Sequence, residues 1–524
     1  MRKAVYFNKT LLCRFLTIIL VSCLFWGCPA EDGHIVENYG TTRSFPYFVS
    51  NDVYTSCINL FNHGQSEMDA TISWYDPSGN LAFQETRIVQ PHGIIQLTRS
   101  NFTGHVVIQG VGSWRAAEAQ LEIVRNDHQG MALAEPCTGP GPMSNNNWYY
   151  LQGVTDMGSG QERTTIITKN SNSNQSIFIE YIPLVPFYCG LEREVEIPAK
   201  GMHIFKPLDI WGEKFPYGME DIAIYVAGHT GPDRTGNPVA CFSGTLFFEI
   251  PGEGFAVVNH KYENAVSGYH NQEIGSACLV DVRDNGTTRS DRIFIKDNGS
   301  AAGSTETFLV HFYDWLGNEC PGSPKSLDLV EDFGHVGSYA ILNPMDLLGR
   351  SFSGSIWITP TDGSAKVQAQ VLRRWPGKWI DWASDAPGLG SDTDFTGVIS
   401  YVKSPADPWK YFLAFFYSEC IYRVDEDPEI TVDTYGEPGT PIPEAENGVV
   451  VLTFRDETGM DRGWYAFLMQ PNETRVFSFD QMVSAYLGTF TGSICFQPMI
   501  SVQVEKWHAQ NKGHATVNYL LPAL

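Results

Sequence analysis

The sequence predicts an all-β protein made of about four tandem antiparallel β-sandwiches, and three observations carry that expectation. One phrase recurs: F-T-G-H-V-V-I at 102–108, F-S-G-S-I-W-I at 352–358 and F-T-G-S-I-C-F at 490–496. Around it, apolar and polar residues alternate in short runs, the period of half-buried antiparallel strands. Glycine (49 residues), proline (30) and aromatics (13%) are plentiful, a balance that favours strands and tight turns over helices. A chain of 524 residues is long for one core, and a hydrophobic fraction of 43% is enough to fill several.

The chain opens on residues 1–28, which read as an export signal. Arg2, Lys3, Lys9 and Arg14 form a basic region, Phe15 to Trp26 an apolar run, and polar P-A-E-D-G follows. The run is too short for a comfortable transmembrane span. It meets cysteine twice, as L-V-S-C at 20–23 and F-W-G-C at 25–28. Cys23 has the smaller neighbours, whereas Cys28 lies at the end of the apolar run and leaves an even cysteine count behind it. Without the four signal cations, 31 Lys and Arg face 59 Asp and Glu, a formal charge of −28. So acidic a surface repels nucleic acid and anionic headgroups, and no nucleic-acid partner is expected.

The first sandwich is expected within 29–137. Its strand S-W-Y-D-P-S-G-N (73–80) runs into a turn where Asp76 bonds its own backbone and Gly79 supplies the positive φ. A second strand closes in Q-P-H-G (90–93), the phrase follows, and a strand with a central Gln comes last, A-E-A-Q-L-E-I-V at 117–124. A degenerate second copy is expected over 148–250. S-I-F-I-E-Y-I-P (176–183) supplies the strand, E-I-P-A-K-G (196–201) the polar turn, and Y-G-M-E-D-I-A-I-Y-V (217–226) stands in place of the phrase.

The third copy, 265–374, has H-F-Y-D-W-L-G-N (311–318), the phrase, and K-V-Q-A-Q-V-L (366–372). The fourth, 396–524, has T-F-R-D-E-T-G-M (453–460), Q-P-N-E (470–473), the phrase, and S-V-Q-V-E (501–505). An acidic, Pro-rich stretch at 425–446 reads as a solvated insertion within it. Phe and Gln are 18 residues apart in the first and third copies and 13 in the fourth. Units of this size hold their own cores, unlike solenoid repeats. Linkers are expected at 138–147, from P-G-E-G-F at 251–255, and at 375–390.

Eight cysteines follow the signal, two per copy: Cys57 with Cys137, Cys189 with Cys241, Cys278 with Cys320, and Cys420 with Cys495. In an exported protein that distribution predicts one internal disulfide per copy.

Candidate chemistry is sparse. Nucleophile elbow, P-loop, H-E-x-x-H and dinucleotide fingerprints are missing, and the sequence assigns no catalytic residue and no metal ligand. His260 and His270, His92 and His105 read as structural. Clustered oxygen ligands at 281–286, 297–300 and 391–395 could hold Ca²⁺ at joints between copies, though turns are the plainer reading. Trp375, Trp379 and Trp382 are candidate binding aromatics, with Trp315 and Trp357 in the preceding copy; packing a joint is the plainer role, stacking on a glycan the other.

These features together resemble bacterial cell-envelope lipoproteins with tandem immunoglobulin-like sandwiches. The likeness rests on the cysteine ending of the signal and on the order strand, D-x-x-G, strand, F-[ST]-G-x-[IV]. It implies lipidation at Cys28 (or Cys23) and attachment to a membrane through that anchor. Neither cysteine is followed by Asp, which implies placement in the outer membrane or at the cell surface. Cleavage with free secretion is the alternative. A non-enzymatic binding, adhesive or structural display role is expected, without a cofactor and with a glycan or protein as partner. Carbohydrate-directed activity and membership of an extracellular assembly are the alternatives.

Overall fold

The computed structural model describes residues 42–519, interrupted chiefly at 138–147, 155–161, 185–191, 213–221, 230–241, 260–276, 331–338, 388–396 and 418–432. The signal, both candidate lipidation cysteines, and Cys189, Cys241, Cys420, His260 and His270 lie outside the described residues.

Alternation does produce strands. In the first unit they are β1 (Thr42–Ser50), β2 (Tyr54–Asn62), β3 (Met68–Tyr75), β4 (Leu81–Val89), β5 (Ile94–Thr98), β6 (Phe102–Gln109), β7 (Ala117–Arg125) and β8 (Met131–Ala134). They form two antiparallel sheets, ordered β1-β6-β3-β4 and β5-β2-β7-β8. The same order recurs over 148–259, 277–387 and 397–519, giving units I to IV among the described residues. In unit III the first and second strands also pair, at Asp284 and Ser290, which joins its two sheets. Short helices precede the sixth strand in units II, III and IV (Pro207–Trp211, Pro344–Leu348 and Phe479–Tyr486).

The connections refine the immunoglobulin comparison. Strands two to six follow the order B-C-C′-E-F of an immunoglobulin domain. The first strand, however, takes the place of strand G, and the seventh that of strand A.

The recurring phrase opens the sixth strand in units I, III and IV. Its aromatic ring meets edge-on an aromatic of the third strand, two residues before the turn Asp. The pairs are Phe102 with Trp74 at 5.6 Å, Phe352 with Phe312 at 5.2 Å, and Phe490 with Phe454 at 5.7 Å. Its glycine lies against the backbone at the end of that strand. A Cβ at Gly104, Gly354 or Gly492 would overlap the carbonyl oxygen of Tyr75, Tyr313 or Arg455. The turn forms as its residues dictate: Asp76, Asp314 and Asp456 each accept from the amide four residues on, and Gly79, Gly317 and Gly459 have φ of 90°, 83° and 86°.

Several expectations are corrected. The Gln-bearing strand is the seventh, not the last. P-G-E-G-F is the turn into the eighth strand of unit II (Gly254–Asn259), and W-P-G-K-W is the turn into that of unit III (Trp379–Ser384). Neither is a linker, so these units extend beyond 250 and 374. The 425–446 stretch is not simply solvated. Its Thr434–Gly436 adds an edge strand to unit IV beside Trp464–Ala466, and Asp433 binds Arg475 and the Tyr465 hydroxyl.

Two of the four expected disulfides, Cys57–Cys137 and Cys278–Cys320, are corrected too; the other two pairs include cysteines that lie outside the described residues. No disulfide joins any two of the described cysteines. Cys57 sits on β2 opposite Thr98 and Glu122, whereas Cys137 is buried beside Ser44, its Sγ 3.6 Å from the Gly244 carbonyl of unit II. Cys278 packs into the cluster shared with unit IV, and Cys320 into unit III's own core, on the other side of the sheet. Pairing either couple within its unit would require a side chain to cross a sheet.

The units do not string out. The eighth strand of each packs against those of two neighbours, in the cycle I–II–III–IV–I. The ring therefore closes, with the eighth strands innermost. Tips of the D-x-x-G turns lock the seams at equivalent places. Met202 N of unit II donates to the Pro77 carbonyl of unit I (2.8 Å), Thr474 N of unit IV to the Trp315 carbonyl of unit III (3.1 Å), and Ile94 N of unit I to the Glu457 carbonyl of unit IV (3.0 Å). Between units II and III, Arg374 reaches Glu162 and Glu253, Arg292 reaches Glu162, and Phe294 and Leu372 enter unit II's cluster.

Candidate ligand cleft between units III and IV

The most elaborate arrangement of candidate residues lies at the seam of units III and IV. It begins with a bulge in the first strand of unit III, between Leu279 and Val282, where Asp281 adopts φ 51°. The bulge turns the Asp281 carboxylate inward, where it is fully buried. Arg289, on the turn leading to the second strand, donates to Asp281 Oδ2 (3.2 Å) and Asp291 Oδ1 (2.9 Å), and Arg283 Nε donates to Asp281 Oδ1 (2.6 Å).

From unit IV comes the seventh strand (Ser501–His508), carrying Gln503, Glu505 and Trp507. Glu505 accepts from Gln503 Nε2 (2.6 Å) and Trp507 Nε1 (2.9 Å), and Arg373 of unit III donates to both Gln503 Oε1 and the Val280 carbonyl. Charges buried this way are tolerable only because they are paired and hydrogen-bonded. Burial pushes the Asp281 carboxyl up; Arg289 opposes the shift and Glu505 adds to it. Burial works against the Arg289 charge, but Asp291 and Asp281 outweigh it and hold the guanidinium above its ordinary range.

Above this network lies a cleft of about 470 Å³ lined by Arg283, Asn285, Thr288, Ser353, Lys378 and Trp507, with Arg289 and Trp375 in its floor. Trp375 is buried. Arg289 covers its ring at 4.7 Å, and Trp507 meets it at 5.9 Å and 77°. On the far side of Arg283 a second cleft of about 400 Å³ runs past Trp315, Leu316 and Thr474. Arg283 lies 5.0 Å over the Trp315 ring, whose Nε1 donates to Ser353.

Of the aromatics singled out from sequence, then, Trp375 floors the cleft. Trp379 lies opposite it across the hairpin and Trp382 three residues on, placed by their backbone. Trp357 packs on Phe416 across the seam, at 6.1 Å. Of the candidate calcium oxygens, Asp281 is held by arginines, and Asp284 accepts from Gly286 N and Met345 N. Residues 391–395 and 298–300 lie outside the described residues. His105 is buried at the seam of units I and II, stacked on Tyr75 at 5.0 Å.

Sequence reasoning missed Arg283 and Arg289 of unit III and Trp507 of unit IV, which meet only across the seam. One signal was present: the recurring Gln marks the seventh strand, and Trp375 and Trp507 each follow it by four or five residues.

No family model matches the chain, and no curated protein matches it. A solved chain titled "Crystal structure of tetra-tandem repeat in extending region of large adhesion protein" aligns at 11% identity over 89% of this chain and 95% of its own, with a TM-score of 0.09. At that score it bears on neither fold nor role.

Proposed function

We propose that this is a non-enzymatic protein, lipid-anchored at the outer membrane or cell surface, whose ring of sandwiches serves as a rigid structural or adhesive display module. The observation that supports this reading is the use made of the chemically capable residues. Asp281, Arg289 and Trp375 hold one another in unit III, Glu505 and Gln503 do so in unit IV, and Arg373 joins the two sides by donating to Gln503. A buried network whose members hydrogen-bond one another fixes the geometry of the joint, and that use of these side chains supports a structural role. The signal's cysteine ending supports the anchor.

Metabolic labelling with an alkyne fatty acid tests the anchor. Label should enter the wild-type chain and Cys23→Ala, and be lost in Cys28→Ala. Label retained in the Cys23→Ala, Cys28→Ala double variant would sink the reading.

A second reading, carbohydrate binding, is favoured by one feature. The outer part of the cleft offers Arg283, Asn285, Thr288 and Lys378 beside the Trp507 ring, a set able to donate to sugar oxygens and stack on a sugar face. A glycan array on which wild type and Trp507→Ala are equally silent would eliminate it.

A further inference from the structure

The fourth strand is the outer edge of its sheet in units I, II and III and lies next to the edge in unit IV, and open edges invite pairing unless they are blunted. In unit IV the chain covers that edge itself with Thr434–Gly436, and the strand beneath (Asp461–Leu468) is buried along its middle. In unit II the strand is only five residues long (Arg193–Ile197), and in unit III six (Lys325–Val330). Unit I differs. Its β4 has nine residues, all but Val89 at least partly exposed, and among the described residues only β3 pairs with it. Leu81, Phe83 and Ile88 are 51%, 39% and 55% exposed. The turns at its two ends dock on units II and IV, which fixes both ends of the strand.

We propose that β4 is a self-association edge, through which two copies of this chain pair antiparallel about a twofold axis at Thr86. The charges favour a second copy as the occupant and Thr86 as the axis, the register in which Glu85 and Arg87 face each other. Glu85 and Arg87, 2.7 Å apart, lie on one face of the strand. With the axis at Thr86, Glu85 faces Arg87 of the second copy and Arg87 faces its Glu85, while Phe83 meets Val89 and Gln84 meets Ile88. Shifting the axis to Glu85 or to Arg87 would set like charges against each other, which opposes pairing. The added strand would sit on β4 as Thr434–Gly436 sits on the fourth strand of unit IV. This inference is independent of lipid anchoring and of the cleft.

The test is sedimentation velocity of the full chain in detergent. One strand pair makes a small interface, so wild type should dimerise with a Kd on the order of micromolar. Glu85→Arg or Arg87→Glu alone should weaken the dimer about tenfold or more, because two attractive pairs become repulsive. An equimolar mixture of the two variants should recover a heterodimer, since opposite charges then face each other again in both pairs. Arg87 is exposed and Glu85 partly so, and an unchanged melting temperature in each variant will confirm folding. A chain monomeric at all concentrations, or a dimer indifferent to Glu85→Arg, would overturn the proposal; loss without recovery in the mixture would overturn the register at Thr86.

Discussion

Two residues show how much a single position controls. Gly492 has no room for a side chain, because a Cβ would overlap the Arg455 carbonyl oxygen. Gly492→Ala should therefore destabilise the chain by roughly 2–3 kcal/mol, the cost of forcing strands apart in a packed core, measured by denaturant unfolding. His105 makes a different point. It occupies the fourth place of the phrase, where units III and IV have Ser355 and Ser493. Burial, then Lys169 and Lys200 of unit II, hold its pKa well below the ordinary imidazole range, and neither ring nitrogen has a hydrogen-bond partner among the described residues. A histidine kept neutral in the fold and free to protonate when unfolded contributes stability that is complete above about pH 6.5 and declines as pH falls from there toward the depressed value. His105→Ser should lessen that acid-side decline. The difference between the two stability–pH curves isolates the group from His92 and His203, whose pKa values burial also lowers.

At the scale of elements, the D-x-x-G turn has two tasks. It reverses the chain between third and fourth strands, and its tip accepts a hydrogen bond from the next unit. Asp456 holds the tip of unit IV by accepting from Thr458 N, Thr458 Oγ1 and Met460 N. Asp456→Ala should cost about 1–2 kcal/mol and speed hydrogen exchange at the Ile94 amide, which bonds to Glu457. Unchanged protection at Ile94 would show that the turn does not hold the seam. The third, fourth, sixth and seventh strands of a unit were legible in the sequence, because alternation and turn chemistry are local: Asp314 and Gly317 announce their turn without reference to anything distant. The eighth strands were not, because P-G-E-G and W-P-G-K have the composition of a linker as well as of a hairpin turn. The two cysteine pairs that lie within the described residues, Cys57–Cys137 and Cys278–Cys320, failed for a related reason. Their number per unit says nothing about which side of a sheet each thiol faces, and Cys278 and Cys320 face different cores.

For the whole molecule, closure is the property that local reading missed. Lys506 of unit IV meets Glu122 of unit I at 2.7 Å, 384 residues away in the chain, and Met131 and Leu133 of unit I join the unit IV core. The cleft was equally illegible, since its parts come from separate units. Closure predicts a compact particle: small-angle scattering should give a radius of gyration of about 24 Å for a chain this long if compact, and a much larger value would mean separated units. Because clusters of apolar side chains span the seams, thermal unfolding should be one transition rather than a series.

The cycle of eighth strands also bears on how the protein would carry load. In a linear array each sandwich transmits the full tension to the next, and the weakest gives way alone. Here a pull on unit I is divided between two flanking joints, one to unit II and one to unit IV. Neither can open far while the other three seams hold. Extension should therefore meet a stiff body that yields in one rupture, rather than the sawtooth of modules failing one after another.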